Sequence, residues 1–184
     1  MPNELAPPSN HSTGPARLLV IEPNRTGLDV FARRLGDLGY RLIACDSSSN
    51  AVAEMHRAPV DLVLAELRMG PVSGVDLTRM IRDDTALKDT PVILITGKSD
   101  SSGAVDGFAA GADDVVAKPF HFEVLAARIA RRIARARSVL ELREDNLNLD
   151  ARVVTRSIEL GEIREAFEKS EAERLRLERL VGRD

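Results

Sequence analysis

Short apolar runs and amphipathic segments alternate along the chain from Arg17 onward. Five runs are short and rich in β-branched residues, which is typical of strands, and they cover residues 18–22, 41–45, 61–65, 92–96 and 114–117. Helical spacing of apolar residues predicts helices over residues 25–38, 50–57, 74–83, 103–110 and from 122 onward. Ser47 and Ser73 are suitable N-caps, and Ser73 with Asp76 has capping-box spacing. This alternation predicts an α/β fold with a doubly wound, five-stranded parallel sheet, (βα)5.

Beyond residue 138 the apolar positions recur at alternating steps of three and four residues, which is the 3.5-residue period of a left-handed coiled coil. The predicted seam contains Asn146, a residue that fixes register in coiled coils, and nine apolar residues: Val139, Leu142, Leu149, Val153, Leu160, Ile163, Phe167, Leu177 and Val181. Polar residues interrupt the seam at Arg156, Ser170 and Arg174. A long C-terminal helix that forms a homodimeric coiled coil is therefore expected.

A second stripe beside this seam contains Leu140, Leu147, Val154 and Leu175. It leaves open a bundle of more than two helices, and the parallel or antiparallel arrangement of the coil is open as well. Gly161 within the helix costs about 1 kcal/mol relative to Ala.

The predicted organisation has three parts: a disordered tail over residues 1–16, which is rich in Pro, Ser and Asn, a domain over 17–137 and a coiled-coil stalk over 138–184. With 43% hydrophobic and 3% aromatic residues, the core must be aliphatic. A net charge of -3 gives no general argument for nucleic acid or anionic membrane as partner. One cysteine excludes an intrachain disulfide, and no apolar run approaches the roughly 20 residues of a membrane helix, so a cytoplasmic protein is expected.

The third predicted strand delivers the carboxylate of Glu66 to its carboxyl end, just before a loop with Gly and Pro. Open α/β sheets place their sites at that end. Met69 lies in the loop that follows, Gly74 starts the next helix, Thr96 ends the fourth strand, and Lys118 and Pro119 follow the fifth. In this order and on these elements, the residues of about 17–137 resemble the receiver domain of two-component response regulators.

The resemblance implies the flavodoxin-like strand order 2-1-3-4-5 and a cis bond before Pro119. It also implies transfer of a phosphoryl group onto an aspartate at position 66, aided by Mg2+, the Thr96 hydroxyl and Lys118. Three departures from the family pattern concern this chemistry. Glu66 replaces the acceptor aspartate, Glu22 is followed by Pro23 where a second acid is usual, and Val115 replaces an aromatic reporter. Gly70 also replaces a proline.

The longer Glu66 side chain moves its carboxylate about 1 to 1.5 Å further into the site, and phosphoryl transfer depends strongly on positioning. We therefore interpret the chain as a non-enzymatic, phosphorylation-independent pseudo-receiver in which Glu66 is a fixed negative charge opposite Lys118. A purely structural ion pair is the alternative. Glu22, Glu66 and a loop carbonyl could bind Mg2+ weakly, and no other metal site and no cofactor is expected.

The sequence leaves three further functions open. The chain could be a conventional phospho-accepting receiver, or the N-terminal regulatory part of a larger kinase or cyclic-di-GMP output protein. It could also bind nucleic acid through a basic helical segment with Arg128, Arg131, Arg132, Arg135 and Arg137. Because no aromatic stacking residues accompany this segment, a solvated face or a dimer contact is favoured there. The expected partners are a second copy of the chain and an unknown signalling protein.

Overall fold

The computed structural model describes residues 14–98 and 100–181, and the side chains of 175 and 177–181 fall outside this description. The strands are β1 (Arg17–Ile21), β2 (Arg41–Cys45), β3 (Leu62–Glu66), β4 (Val92–Thr96) and β5 (Asp114–Ala117). The helices are α1 (Arg25–Asp37), α2 (Ser48–Arg57), α3 (Gly74–Asp83), α4 (Ser101–Ala109) and α5 (Phe122–Val181). The predicted (βα)5 alternation and the long C-terminal helix are confirmed.

All strand pairs are parallel, and the sheet order is β2-β1-β3-β4-β5, as the resemblance implied. The order places β3 at the centre, between β1 and β4. Because parallel strands share one carboxyl edge, Glu22 after β1, Glu66 at the end of β3 and Thr96 at the end of β4 come to the same edge. This is the topological switch point at which open α/β sheets build their sites.

Alternate strand residues bury their side chains on opposite faces of the sheet, in two apolar clusters. On one face, Leu18 and Leu64 pack with residues of α1 and α5, among them Phe31 and Ile129. On the other face, the strands pack against residues of α2 and α3. The core is mostly aliphatic, as the composition predicted.

The loop between β3 and α3 is fixed by local sequence features. Ser73 and Asp76 form the predicted capping box: the Ser73 hydroxyl accepts a hydrogen bond from the Asp76 N–H at 3.1 Å, and the Asp76 carboxylate accepts one from the Ser73 N–H at 3.2 Å. Gly70 has a φ of +36°, a left-handed conformation that favours glycine. A Cβ at position 74 would collide with the Glu66 carbonyl oxygen, so Gly74 lets α3 begin close against the end of β3.

The chain divides into two compact units, with the boundary between Ala136 and Arg137. Ala16, at the end of the predicted disordered tail, is partly buried against the core, and its carbonyl accepts a hydrogen bond from the Arg41 N–H at 2.9 Å. The tail over 1–13 lies outside the described residues, as do the side chains of the seam residues Leu177 and Val181.

In the second unit, the described apolar side chains lie largely exposed on a single helix. Exposure ranges from 39% for Val139 to 70% for Leu147. Among the described residues, no helix combines the length and the apolar character needed to cross a membrane.

Candidate functional site at the carboxyl edge of the sheet

Lys118, which follows β5, lies between the two carboxylates at the carboxyl edge of the sheet. Its Nζ donates a hydrogen bond to Glu66 Oε2 at 2.5 Å and another to Glu22 Oε2 at 3.0 Å. Lys118 lies opposite Glu66, as predicted from the sequence, and Glu22 is its second partner. One ammonium group therefore bridges the ends of β1 and β3.

Glu22 is held firmly in this bridge. The residue is only 6% exposed, and its second oxygen, Oε1, accepts a hydrogen bond from the Asn24 N–H at 3.0 Å. A Cβ at position 27 would lie 3.1 Å from the Glu22 carboxyl carbon, so Gly27 leaves room for this side chain. Both carboxylate oxygens of Glu22 are thus engaged by donors of the protein itself.

The electrostatics of the cluster follow from burial and from the bridge. Burial raises the pKa of the Glu66 carboxyl above its usual range. The hydrogen bond from Lys118 acts in the opposite direction but offsets only part of this rise, and the nearby negative charge of Glu22 adds to it. Burial alone would lower the pKa of Lys118, but the hydrogen bonds to Glu66 and Glu22 outweigh it and the pKa is raised. The ammonium therefore stays protonated at neutral pH.

The other predicted site residues lie around this cluster without joining it. Thr96 is 4% exposed, and within the described chain its Oγ1 has no hydrogen-bond partner. Val115 packs, partly buried, against the apolar cluster on the α2 and α3 face of the sheet. The peptide bond between Lys118 and Pro119 is cis, as the resemblance implied.

A cavity of about 550 Å3 opens beside Glu66 and is lined by Glu66, Arg68, Thr96, Gly97, Lys98 and Asp100. Arg68 binds the Asp100 carboxylate with two nitrogens, and its Nη2 lies 2.8 Å from Asp100 Oδ1. Asp100 also caps α4 by accepting a hydrogen bond from the Gly103 N–H at 3.0 Å. The hydrogen bonds from Arg68 lower the pKa of the Asp100 carboxyl to about 2.

This salt bridge between Arg68 and Asp100 was not predicted from the sequence. Asp100 followed by a helix is a readable N-cap signal, but the predicted start of that helix lay at residue 103. Nothing in the sequence pairs Asp100 with a residue 32 positions earlier. The salt bridge connects the loop after β3 with the first turn of α4.

Two arginines of the basic segment of α5, Arg128 and Arg132, bind a carboxylate of the domain. Arg128 Nη1 lies 2.9 Å from an Asp114 oxygen, and Arg132 Nη2 lies 3.6 Å from the same oxygen. Asp114, at the start of β5, is buried, so these two arginines balance an internal charge. Arg131 and Arg135 are exposed.

The comparisons with known proteins agree with this geometry. The model of the response regulator receiver domain matches residues 18–130. The chain belongs to this receiver family. It is 32% identical over 142 residues to the cell cycle transcriptional regulator CtrA of Caulobacter vibrioides, a match covering 75% of this chain and 61% of CtrA.

A second relative is the transcriptional regulatory protein YvrH of Bacillus subtilis, which is 32% identical over 121 residues, or 65% of this chain and 50% of YvrH. The chain thus spans about half to three-fifths of the length of these curated relatives. Among solved structures, the receiver domain of the sensor histidine kinase PA1611 of Pseudomonas aeruginosa is 27% identical with a TM-score of 0.62, covering 66% of this chain and 99% of that domain.

The PA1611 receiver was crystallised with a magnesium ion in its active-site cleft, which raises the question of whether the present receiver suits the same ion. Mg2+ needs several oxygen ligands in octahedral geometry. Here both oxygens of Glu22 and one of Glu66 accept hydrogen bonds from the protein, and the described residues hold no group of three His, Cys, Asp or Glu placed to bind a metal. The donor set does not fit Mg2+.

Proposed function

We propose that this receiver is a phosphorylation-independent signalling module that acts as a dimer. The observation that carries the proposal is the bridge from Lys118 to Glu22 and Glu66. A glutamate stands where the receiver family has its phospho-acceptor aspartate. Lys118 already binds a negative charge there, so the cluster is held together without a phosphoryl group. We assign the chain a regulatory role and no catalytic one.

The fixed charge acts by holding the carboxyl edge of the sheet in one conformation. Lys118 is joined through Pro119 to the segment that leads into α5, so the bridge restrains the start of that helix. A partner can respond to this state only if it binds this conformation more tightly than others, so a partner is a necessary part of the proposal.

Dimerisation would occur through the predicted coiled-coil seam of α5. The described apolar residues of that seam, from Val139 to Phe167, are 39% to 66% exposed in the single chain. A helix whose apolar stripe is exposed in this way is stabilised by covering the stripe. A second copy offers the same stripe, and Asn146 supports a defined register at one level of it.

Intact mass measured after exposure to a small phosphoryl donor and Mg2+ tests the absence of phosphorylation. The expected result is no adduct of about 80 Da, since the side chain at position 66 is too long for the acceptor geometry. An adduct that is lost in Glu66→Gln would show that Glu66 accepts the phosphoryl group. An adduct that persists in Glu66→Gln would place the acceptor elsewhere. Either adduct contradicts the proposal.

Whether the charge of Glu66 affects signalling is tested by measuring dimer association in the variant Glu66→Gln. The substitution keeps the size of the side chain and removes its charge, so the dimer association constant, followed by sedimentation, should change. An association curve that coincides with the wild type would mean that Glu66 and Lys118 form a structural ion pair only.

A second candidate is a transcriptional regulator that binds DNA, because the relatives YvrH and CtrA are named as transcriptional regulators. In this chain the role would fall to the exposed Arg131 and Arg135, because Arg128 and Arg132 bind Asp114. Binding to duplex DNA that weakens with salt and is lost in Arg131→Gln with Arg135→Gln would support this candidate. Equal binding by wild type and variant would count against it.

A further inference from the structure

Three phenylalanines meet where the chain passes from the site into α5. We call Phe31, Phe120 and Phe122 the aromatic cluster. The ring centroids are 6.0 Å apart for Phe31 and Phe120, 5.6 Å for Phe31 and Phe122, and 5.4 Å for Phe120 and Phe122. Aromatic rings attract each other at these distances. The whole chain has only five phenylalanines, so most of them lie at this one place in an otherwise aliphatic core.

The aromatic cluster joins helix α1 to the start of α5. Phe31 lies on α1 and is 4% exposed, and Phe122 is the first residue of α5. Both pack with the apolar residues on the α1 and α5 face of the sheet. The guanidinium of Arg34, which also lies on α1, is 5.7 Å from the centre of the Phe122 ring, within the range of a cation–π interaction. Two side chains of α1 therefore hold the first turn of α5.

Lys118, the cation of the site, is connected to the aromatic cluster through the chain itself. Lys118 lies two residues before Phe120 and four before Phe122. Pro119 stands between Lys118 and Phe120, and its ring fixes the φ angle of the backbone there. A displacement of Lys118 is therefore carried on to Phe120, because little of it can be absorbed by rotation of the intervening residue.

Glu22, which also binds Lys118, is connected to the aromatic cluster from the opposite side, through α1. Glu22 Oε1 accepts a hydrogen bond from the Asn24 N–H at 3.0 Å. Asn24 is the N-cap of α1, and its side chain accepts a hydrogen bond from the Gly27 N–H at 3.2 Å. Phe31 lies further along the same helix. The start of α1 and the start of α5 are thus both tied to the Lys118 bridge, and the rings of the aromatic cluster close this circuit of contacts.

We propose that the aromatic cluster couples the Lys118 bridge to the first turns of α1 and α5, so that a change of charge at position 66 moves Phe31 as well as Phe122. Packed side chains that link two sites in this way carry energetic coupling between them. The inference rests on the proposed function and deepens it, because it names the contacts through which the bridge restrains the start of α5. The three phenylalanines are positioning residues.

Fluorine NMR of the full chain, labelled with fluorinated phenylalanine, tests the coupling. Each of the five resonances is assigned by replacing one phenylalanine at a time with leucine. Phe108 and Phe167 are 53% and 62% exposed, lie outside the aromatic cluster and serve as internal references. Lys118→Met should shift the three resonances of the aromatic cluster several times further than those of the two references. Circular dichroism checks that the variant remains folded.

Glu66→Gln gives a milder form of the same test, because it keeps the size of the side chain and leaves Lys118 in place. It should shift the three resonances of the aromatic cluster in the same direction as Lys118→Met, and by less. The matched control is Arg68→Met, which removes a cation from the same edge of the sheet without changing the bridge. This control should leave the three resonances at their wild-type positions, and equal shifts in it would overturn the assignment to the bridge.

The resonance of Phe31 decides the test, because Phe31 lies on another helix and is not a neighbour of Lys118 in the chain. If Phe120 shifts in both variants and Phe31 does not, the aromatic cluster only fills the core and the coupling is overturned. Sedimentation of Glu66→Gln separates this result from the proposed function. A shift of Phe31 without a change in dimer association keeps the coupling and overturns the proposed signalling role of Glu66. A change in association without a shift of Phe31 does the reverse.

Discussion

The receiver domain and the C-terminal helix use the same aliphatic residues with opposite results. In the domain, Leu64 on the central strand β3 is 1% exposed, and it packs with residues of β1, β4, α1 and α5. In the helix, Leu149 in the predicted seam is 55% exposed. The hydrophobic pattern of the domain is satisfied within the chain, whereas that of the helix is not.

Because of this difference, the apolar residues of the domain stabilise the fold, whereas those of the helix are available for contacts with other molecules. The domain buries its apolar residues on both faces of the sheet, and its site is held by hydrogen bonds between side chains of the same chain. Beyond residue 137 the helix has backbone hydrogen bonds of its own, but its large apolar side chains are exposed where the structure describes them. Substitutions in the domain should therefore change stability, and substitutions in the helix should change association.

The largest effect is expected for Leu64→Ala. Because Leu64 is fully buried, its truncation should lower the free energy of unfolding by about 2 to 5 kcal/mol through lost burial and an unfilled cavity. The same substitution at the exposed Leu149 should change the unfolding of the receiver domain by less than about 0.5 kcal/mol. Both free energies of unfolding are measured by denaturant titration, followed by circular dichroism and by a spectroscopic label attached to the receiver domain.

Leu149→Ala should instead lower the mean mass of the chain at a given concentration, which light scattering detects. The comparison between the two regions would fail if Leu149→Ala destabilised the domain as strongly as Leu64→Ala. It would also fail if Leu149→Ala left both stability and association at wild-type values, since the seam would then have no role in either.

An intermediate effect is expected at the site of the domain, where Lys118→Met leaves Glu22 and Glu66 without their common cation. Removing one partner of a buried ion pair costs about 3 to 5 kcal/mol, and we expect about 2 to 3 kcal/mol because the Lys118 side chain is 40% exposed. The loss of unfolding free energy should be smaller at acid pH. Without Lys118 the pKa of the Glu66 carboxyl in the folded variant rises further, so as the pH falls the folded state binds a proton before the unfolded state does. This proton binding stabilises the folded variant.

Adding Mg2+ to the Lys118→Met variant gives a further test of the site. In Lys118→Met the two carboxylates are free to bind a divalent cation, so millimolar Mg2+ should raise the melting temperature of the variant and leave that of the wild type unchanged. Lys118→Met combined with Glu66→Gln is the control, because one carboxylate fewer should remove most of the Mg2+ effect. A wild type that Mg2+ stabilises equally would contradict the finding that the donor set does not fit this ion.

Much of the fold could be predicted because its determinants are local. Strands over residues 41–45, 92–96 and 114–117 lie where the short β-branched runs placed them, and the Ser73 capping box is as its spacing indicated. The predicted helices and strands differ from the observed ones only at their ends. Helix α2 begins at Ser48 and α4 at Ser101, each two residues before the predicted start. Both helices begin with serines, which carry no apolar periodicity.

The site was predictable only as far as the family resemblance extended. Glu22, Glu66 and Lys118 could be named because each stands at the end of a predicted strand. The contacts of Arg68 with Asp100 and of Arg128 with Asp114 could not, because they depend on how loops and helices meet across the folded domain. That Thr96 Oγ1 has no hydrogen-bond partner among the described residues is likewise visible only in three dimensions.

The smallest effect is expected at the salt bridge between Arg68 and Asp100. The pKa of Asp100 falls from its ordinary value of 3.8 to about 2, so the unfolded chain binds more protons than the folded chain between these values. The contribution of Asp100 to stability is therefore complete above about pH 4 and is lost as the pH falls through 2. Because the pair lies near the surface, added salt should reduce this contribution.

Asp100→Asn isolates this contribution, because Asn is an equally good N-cap for α4 but carries no charge. The difference in unfolding free energy between wild type and variant should shrink as the pH falls from 4 to 2, measured by denaturant titration at each pH. A difference that stays constant down to pH 2 would mean that Asp100 contributes through its cap alone and that the salt bridge adds nothing to the domain.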